Sequence, residues 1–140
     1  MTRLFIGSTL DFEAYKRRKA LIWNFRLTLI TIRYILYRLR IIKESFLAEA
    51  APANSKAGKW LDAWRIVVKA AEWKNIAELR LTYPSADPVK VQSGRTVTVF
   101  NVCGNDYRLI TAIHYDSQRI YTLEFLTHAE YDKNNWKKNL

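Results

Sequence analysis

The stretch RTVTVFNVCGNDYRLITAIHYDSQRIYTLEFLT, residues 95–127, decides the fold. Valine, isoleucine, threonine and aromatic residues dominate it in three runs, Arg95–Cys103, Asp106–Tyr115 and Arg119–Thr127. Each run has the length and β-branched content of a strand. Gly104-Asn105 and Asp116-Ser117-Gln118 fall at the joints, where turn residues belong. Three strands joined by short turns predict an antiparallel meander.

Upstream the period changes. Trp60, Leu61, Trp64, Val67, Val68 and Ala71 recur at helical spacing and form one apolar stripe, with Ser55 placed to cap its start. Lys43 to Ala51 reads as a shorter helix stopped by Pro52. Asn75 is placed to cap a brief helical turn ending before Tyr83 and Pro84. Helices followed by a meander predict an α+β domain, with the helices on one sheet face and the other face left for a ligand.

The 140 residues carry a net charge of +10. Residues 1–38 hold eight Lys/Arg against two Asp/Glu, so most of the excess lies in the first quarter. A basic balance favours nucleic acid or an anionic lipid surface, but residues 39–140 are only mildly basic. The stretch from Ala20 to Ile42 is apolar but interrupted by Arg26, Arg33, Arg38 and Arg40. Each arginine near a bilayer centre costs roughly 2.5–3.5 kcal/mol on insertion scales, which argues against a membrane span. A basic helical face and a strand both remain open for this segment. The single cysteine, Cys103, excludes an internal disulfide framework and a cysteine-rich zinc module, and it favours a reducing, cytoplasmic setting. No phosphate-binding glycine loop, nucleophile elbow or zinc-protease helix motif is present, which argues against nucleotide-driven and serine-hydrolase chemistry.

Chemistry concentrates at the C-terminal end. Thr127-His128-Ala129-Glu130-Tyr131-Asp132-Lys133 gathers an imidazole, two carboxylates, a phenol and an amine. That density suits proton transfer. It also fits a polar strand end entering solvent. If the strand continued, His128, Glu130 and Asp132 would share one face, a third and weaker reading as a metal site. Arg108 interrupts the apolar run Tyr107–Ile113, where it could clamp a phosphate or form a cross-strand ion pair, for example with Glu124. Asn101 and Asn105 flank the first turn. Trp60, Trp64 and Trp73 fit a core better than a base-stacking platform, His114 fits a surface, and Cys103 fits packing better than nucleophilic catalysis.

Three segments together resemble the HigB toxin family. Phe100-Asn101-Val102-Cys103-Gly104-Asn105-Asp106-Tyr107-Arg108-Leu109-Ile110 resembles its strand, Gly-Asn turn and Tyr-Arg-Leu strand. Thr127-His128-Ala129-Glu130-Tyr131-Asp132-Lys133 resembles its closing His-x-Glu-Tyr-Asp signature. Trp64, Ala71-Glu72-Trp73-Lys74-Asn75 and Tyr83-Pro84-Ser85-Ala86-Asp87 follow the family's order, and Arg40-Ile41-Ile42 resembles its opening strand. The resemblance covers residues 39–140. Residues 1–38 lie outside it, either as a true extension or as sequence ahead of a non-AUG start at Leu39. The abrupt onset of the family pattern favours the second.

The resemblance implies a fold like the RelE and ParE toxins, with helices on one face of a small twisted antiparallel sheet. It implies an mRNA endoribonuclease acting on translating ribosomes, without metal or other cofactor, and neutralised by a HigA-type helix-turn-helix antitoxin. In this role Arg108 binds the scissile phosphate, and His128 and Tyr131 transfer protons. Lys74 and Lys133 contact flanking phosphates, and Asn101 and Asn105 lie with the RNA-binding set. Glu130 and Asp132 orient His128 or fix the strand end. A ParE-like inhibitor of a protein target and a degenerate antitoxin-binding module remain the alternatives.

Overall fold

The computed structural model describes residues 38–140. The readings of residues 1–37 therefore lie outside the described residues. The described residues open with strand β1 (Arg40–Ile42), followed by helices α1 (Glu44–Ala50), α2 (Lys56–Ala70) and α3 (Ile76–Thr82). Strands β2 (Asp87–Lys90), β3 (Thr96–Val102), β4 (Tyr107–His114) and β5 (Arg119–Thr127) come next, and helices α4 (His128–Asp132) and α5 (Trp136–Asn139) close the chain.

The helix starts form where their capping chemistry puts them. The Ser55 hydroxyl accepts from the Gly58 amide at 3.0 Å, and the Asn75 side chain accepts from the Glu78 amide at 2.9 Å. Gly58 also lets α2 press against the preceding loop, since a Cβ there would lie 2.1 Å from the Pro52 carbonyl oxygen. The apolar stripe of α2 is buried as its spacing requires, at Leu61, Trp64 and Val68.

The sheet order is β1-β5-β4-β3-β2. The three strands of residues 95–127 form the expected antiparallel meander, with Asn101 opposite Arg108 and Arg108 opposite Leu126. One feature departs from the all-antiparallel expectation, and a second adds a strand beyond the meander. β1 pairs with β5 in parallel, with Ile41 opposite Ile120, which makes the sheet mixed. β2 adds an edge strand beside β3, with Val89 opposite Val97. Pro88 lies within β2, and an edge position tolerates a proline because its missing amide donor costs no ladder bond on the open side.

Both faces of the sheet carry apolar clusters. On one face Phe100, Val102, Leu109 and Ile120 pack against Leu47, Leu61, Trp64, Val68 and Leu79 of the three N-terminal helices. Trp64 meets Phe100 edge-on at 5.5 Å, and Tyr83 meets the same ring at 5.3 Å. On the other face Val97, Val99 and Ile110 pack with Trp136, Tyr131 and Leu126. The residue pattern predicts that this second face is left free; instead α4 and α5 fold back over part of it. The C-terminal segment is tied down at its far end by the Gln92 amide, which donates to the Lys137 carbonyl at 3.0 Å. No helix among the described residues is long and apolar enough to cross a membrane.

Candidate active site

Alternation along β4 sends Tyr107 and Leu109 into the core under the N-terminal helices and turns Arg108 to the opposite face. Arg108 is only 7% exposed. One guanidinium nitrogen, Nη1, donates to the Tyr107 carbonyl at 3.0 Å, and Nη2 donates to Asn105 Oδ1 at 3.2 Å. The guanidinium carbon lies 5.5 Å from the Tyr131 ring centroid. Among the described residues no carboxylate pairs with it. The cross-strand pair with Glu124 does not form, because Glu124 stands opposite Ile110 and not opposite Arg108. Arg108 is thus a positioned, largely buried cation without an anion, the arrangement that receives a phosphate.

The hairpin between β3 and β4 supplies the second element. Cys103 and Gly104 both take left-handed backbone, at φ 53° and 70°, which suits Gly104 and is uncommon for Cys103. The turn brings Asn105 to the start of β4, where its amide oxygen accepts from Arg108 and steadies it. Asn101 lies directly across the ladder from Arg108 and is half-buried.

The third element is α4. The segment from His128 onward does not continue as a strand. Thr127 and Glu130 form a capping box: the Thr127 hydroxyl accepts from the Glu130 amide at 3.3 Å, and Glu130 Oε2 accepts from the Thr127 amide at 2.9 Å. The His128 amide donates to the Asp106 carbonyl at 3.0 Å, which fixes the new helix against the β3–β4 hairpin. The extended face that would have lined up His128, Glu130 and Asp132 is therefore absent. Hydrogen bonds from Thr127 hold the Glu130 carboxyl below the usual carboxylate range, so Glu130 fixes the strand-to-helix corner and does not orient His128. Asp132 does approach the imidazole, with Oδ2 at 3.5 Å from His128 Nε2 one turn away.

Tyr131 follows His128 by three residues, which puts the two side chains on neighbouring positions of the same helical surface. Its ring stacks on Trp136 at 5.2 Å with planes 19° apart, and the Trp136 Nε1–H donates to the Tyr131 carbonyl at 3.1 Å. Burial pushes the Tyr131 phenol up, the Asp87 carboxylate adds to this, and Arg108 opposes it. The phenol therefore stays protonated at neutral pH.

Arg108, Asn101, Asn105, Tyr131 and the α4 backbone of His128 converge at one end of the sheet. Lys133, at the end of α4, is exposed beside them. Lys74 is not with them. It follows Trp73, whose carbonyl accepts from Gln118 Nε2 at 2.9 Å, so it sits by the β4–β5 turn at the opposite end of the strands. Seven strand residues separate the two ends, roughly 20 Å. Trp136 and Asp87 belong to the cluster's surroundings and were not singled out in the sequence. A stacked tryptophan nine residues past the last strand has no periodic signature, and Asp87 gains its place only through the pairing of β2.

Residues 57–134 match the HigB_toxin family, described as the RelE-like toxic component of a toxin-antitoxin system. The chain is 30% identical over 94 residues to the mRNA interferase toxin HigB of Escherichia coli K12, covering 67% of this chain and 88% of that protein. It is 30% identical to the mRNA interferase HigB of Shigella flexneri over the same shares of the two chains. It is also 31% identical over 95 residues to mRNA interferase HigB of Escherichia coli O6:H1, covering 68% and 90%.

Proposed function

This chain belongs to the HigB toxin family, and from that membership we propose that it is an mRNA endoribonuclease with its catalytic cluster at Arg108, His128 and Tyr131. The observation that carries the reading is Arg108, a buried guanidinium held by Asn105 and Tyr107 with no carboxylate paired to it among the described residues. A phosphate diester is the substrate group that fits such a cation.

The reaction follows from the groups present. The 2′-hydroxyl of the RNA attacks the adjacent phosphorus. His128 takes the proton from that hydroxyl, a bond forms from the 2′-oxygen to phosphorus, and the bond to the 5′-oxygen breaks. Tyr131, kept protonated by its surroundings, gives its proton to the departing 5′-oxygen. The products are a 2′,3′-cyclic phosphate and a 5′-hydroxyl. Arg108 meets the charge that develops on the phosphorane oxygens. Asp132 holds the imidazole from its Nε2 side. Asn101 and Lys133 flank the scissile group, and Lys74 is placed only for a phosphate far along the strand. The mRNA is met on the ribosome, and the partner that neutralises the toxin is a HigA-type helix-turn-helix antitoxin.

The test is to express the full chain in a bacterium and map new 5′ ends on mRNA. Wild-type protein is expected to produce cuts and arrest growth. Arg108→Ala is expected to lower cutting about 10²–10³-fold while the protein stays folded. Growth arrest with intact transcripts would turn the reading toward a ParE-like inhibitor of a protein target.

A further inference from the structure

Glu124 has a place in the fold that the catalytic cluster leaves unexplained. It lies on β5, half-buried, on the face shared with Arg108. Its carboxylate makes no hydrogen bond and no ion pair among the described residues, although partial removal of a charge from water is costly without a partner. It borders a recess of about 220 Å³ between β5 and the two C-terminal helices. Leu126 and Trp136 give the recess an apolar floor, and Lys133, Asn135 and Asn139 stand on its rim with Glu124. Glu130 also lines it, but its carboxylate is engaged by Thr127.

The recess adjoins the cluster. Leu126 is the direct cross-strand neighbour of Arg108, so the floor begins one strand spacing, about 5 Å, from the strand that carries the guanidinium. A phosphate on Arg108 brings the base of an adjoining nucleotide within reach of it.

We propose that this recess receives a nucleobase next to the scissile phosphate, and that Glu124 selects bases bearing an exocyclic amino group. The proposal rests on the endoribonuclease reading above. A carboxylate only accepts hydrogen bonds. Adenine, cytosine and guanine each offer it an amino donor. Uracil has no amino group; its one ring N3–H lies between two carbonyl oxygens, which the carboxylate repels. The amides of Asn135 and Asn139 can both donate and accept, so they add contacts to any of the amino-bearing bases. Lys133, on the same rim, is placed for the phosphate that follows the bound base.

The experiment compares cut-site profiles in bacteria that express the full chain as wild type, Glu124→Gln or Asn139→Ala. In the wild type, uracil is expected to be depleted at one fixed position beside the cut. Glu124→Gln replaces one acceptor oxygen with a donor. It is expected to reduce that depletion about five- to a hundredfold at that position alone, with cutting retained and the other positions unchanged. Asn139→Ala, an exposed rim change, is expected to weaken the preference among the amino-bearing bases at the same position. A wild-type profile with no uracil depletion beside the cut would overturn the proposal, as would a Glu124→Gln profile identical to the wild type. If Glu124→Gln accumulates only as unfolded protein, an unchanged Asn139→Ala profile overturns it. Absence of cutting by the wild-type protein would instead overturn the endoribonuclease reading itself.

Discussion

The Arg108 guanidinium, 7% exposed and paired with no carboxylate among the described residues, is held in place at a cost, and its neighbours show how. Asn105 and the Tyr107 carbonyl take two of the Arg108 donors, and the Tyr131 ring covers its face. The same ring stacks on Trp136, so Tyr131 has a packing part beside the chemical part proposed for it. Tyr131→Phe separates them. The variant keeps the ring, and its thermal midpoint is expected to match the wild type. Its single-turnover cleavage rate is expected to fall about 10²–10⁴-fold. Equal rates for the two proteins would remove Tyr131 from proton transfer. The phenol is the active form, and burial raises its pKa above the ordinary 10.0. Loss of activity on the alkaline side is therefore expected to set in above pH 10 and not below it. Arg108 and Tyr131 are legible in the sequence because each breaks a pattern, the first in an apolar strand and the second in a dense polar run. The Arg108–Glu124 alternative fails on register, since Leu126 stands opposite Arg108, and the same ladder carries a β-bulge. The ladder skips Leu123, with Ile110 opposite Glu124 and Thr111 opposite Thr122, and no residue in the pattern announces that shift.

The corner between β5 and α4 places the side chains proposed for proton transfer, His128 and Tyr131. Thr127-His128-Ala129-Glu130 is a capping-box sequence, and its hydrogen bonds end the strand where the polar run begins. That signal is present in the sequence. The strand reading of His128–Asp132 fails because the alternation of His128, Glu130 and Asp132 is equally visible and points the other way. The edge strand β2 is hidden for a different reason. Four residues that include Pro88 carry no strand pattern, and pairing with β3 alone creates the element. Thr127→Ala removes the cap and is expected to cost about 1 kcal/mol of stability. It is expected to lower cleavage more than it lowers the melting temperature, because α4 carries both His128 and Tyr131. The cap also sets a pH limit. Glu130 has a folded pKa below its ordinary value of 4.5, so its contribution is present above that value. It is lost as pH falls through the lowered folded pKa. Backbone amide signals of α4, followed by NMR through acid titration, are expected to shift below pH 4.5. Signals of β4 are expected to stay fixed in the same range.

Residues 38–140 place two apolar clusters on opposite faces of one sheet. The N-terminal helices hold the first face, and the second is shared between packing and chemistry. The first core is legible from the helical stripe of α2 and the meander, since both periods point at the same layer. The second depends on Trp136 and Tyr131 returning over Val99 and Ile110, and short helices with few apolar residues give no period to read. Tyr83 lies in the first core among Trp60, Trp73 and Phe100, and burial pushes its phenol up to about 12. A buried group that prefers its proton stabilises the fold below its unfolded value of 10.0. That stability is lost as pH rises through about 12. Denaturant midpoints are expected to fall between those two values in the wild type and to fall less in Tyr83→Phe.

We propose that a positioned arginine, a capped helix bearing an imidazole and a phenol, and the sheet face that brings them together cleave RNA through its own 2′-hydroxyl. The chemistry of the cut ends tests it most directly. RNA fragments from bacteria expressing the full chain, and from cleavage with the purified protein on translating ribosomes with and without EDTA, are assayed for their termini. In the EDTA reactions, Mg²⁺ is retained at the level that keeps ribosomes intact, and transition metals are chelated. The account predicts 5′-hydroxyl and 2′,3′-cyclic phosphate ends whether or not EDTA is present. Fragments with 5′-phosphate ends, or cutting that stops on chelation and returns with a transition metal, would contradict it.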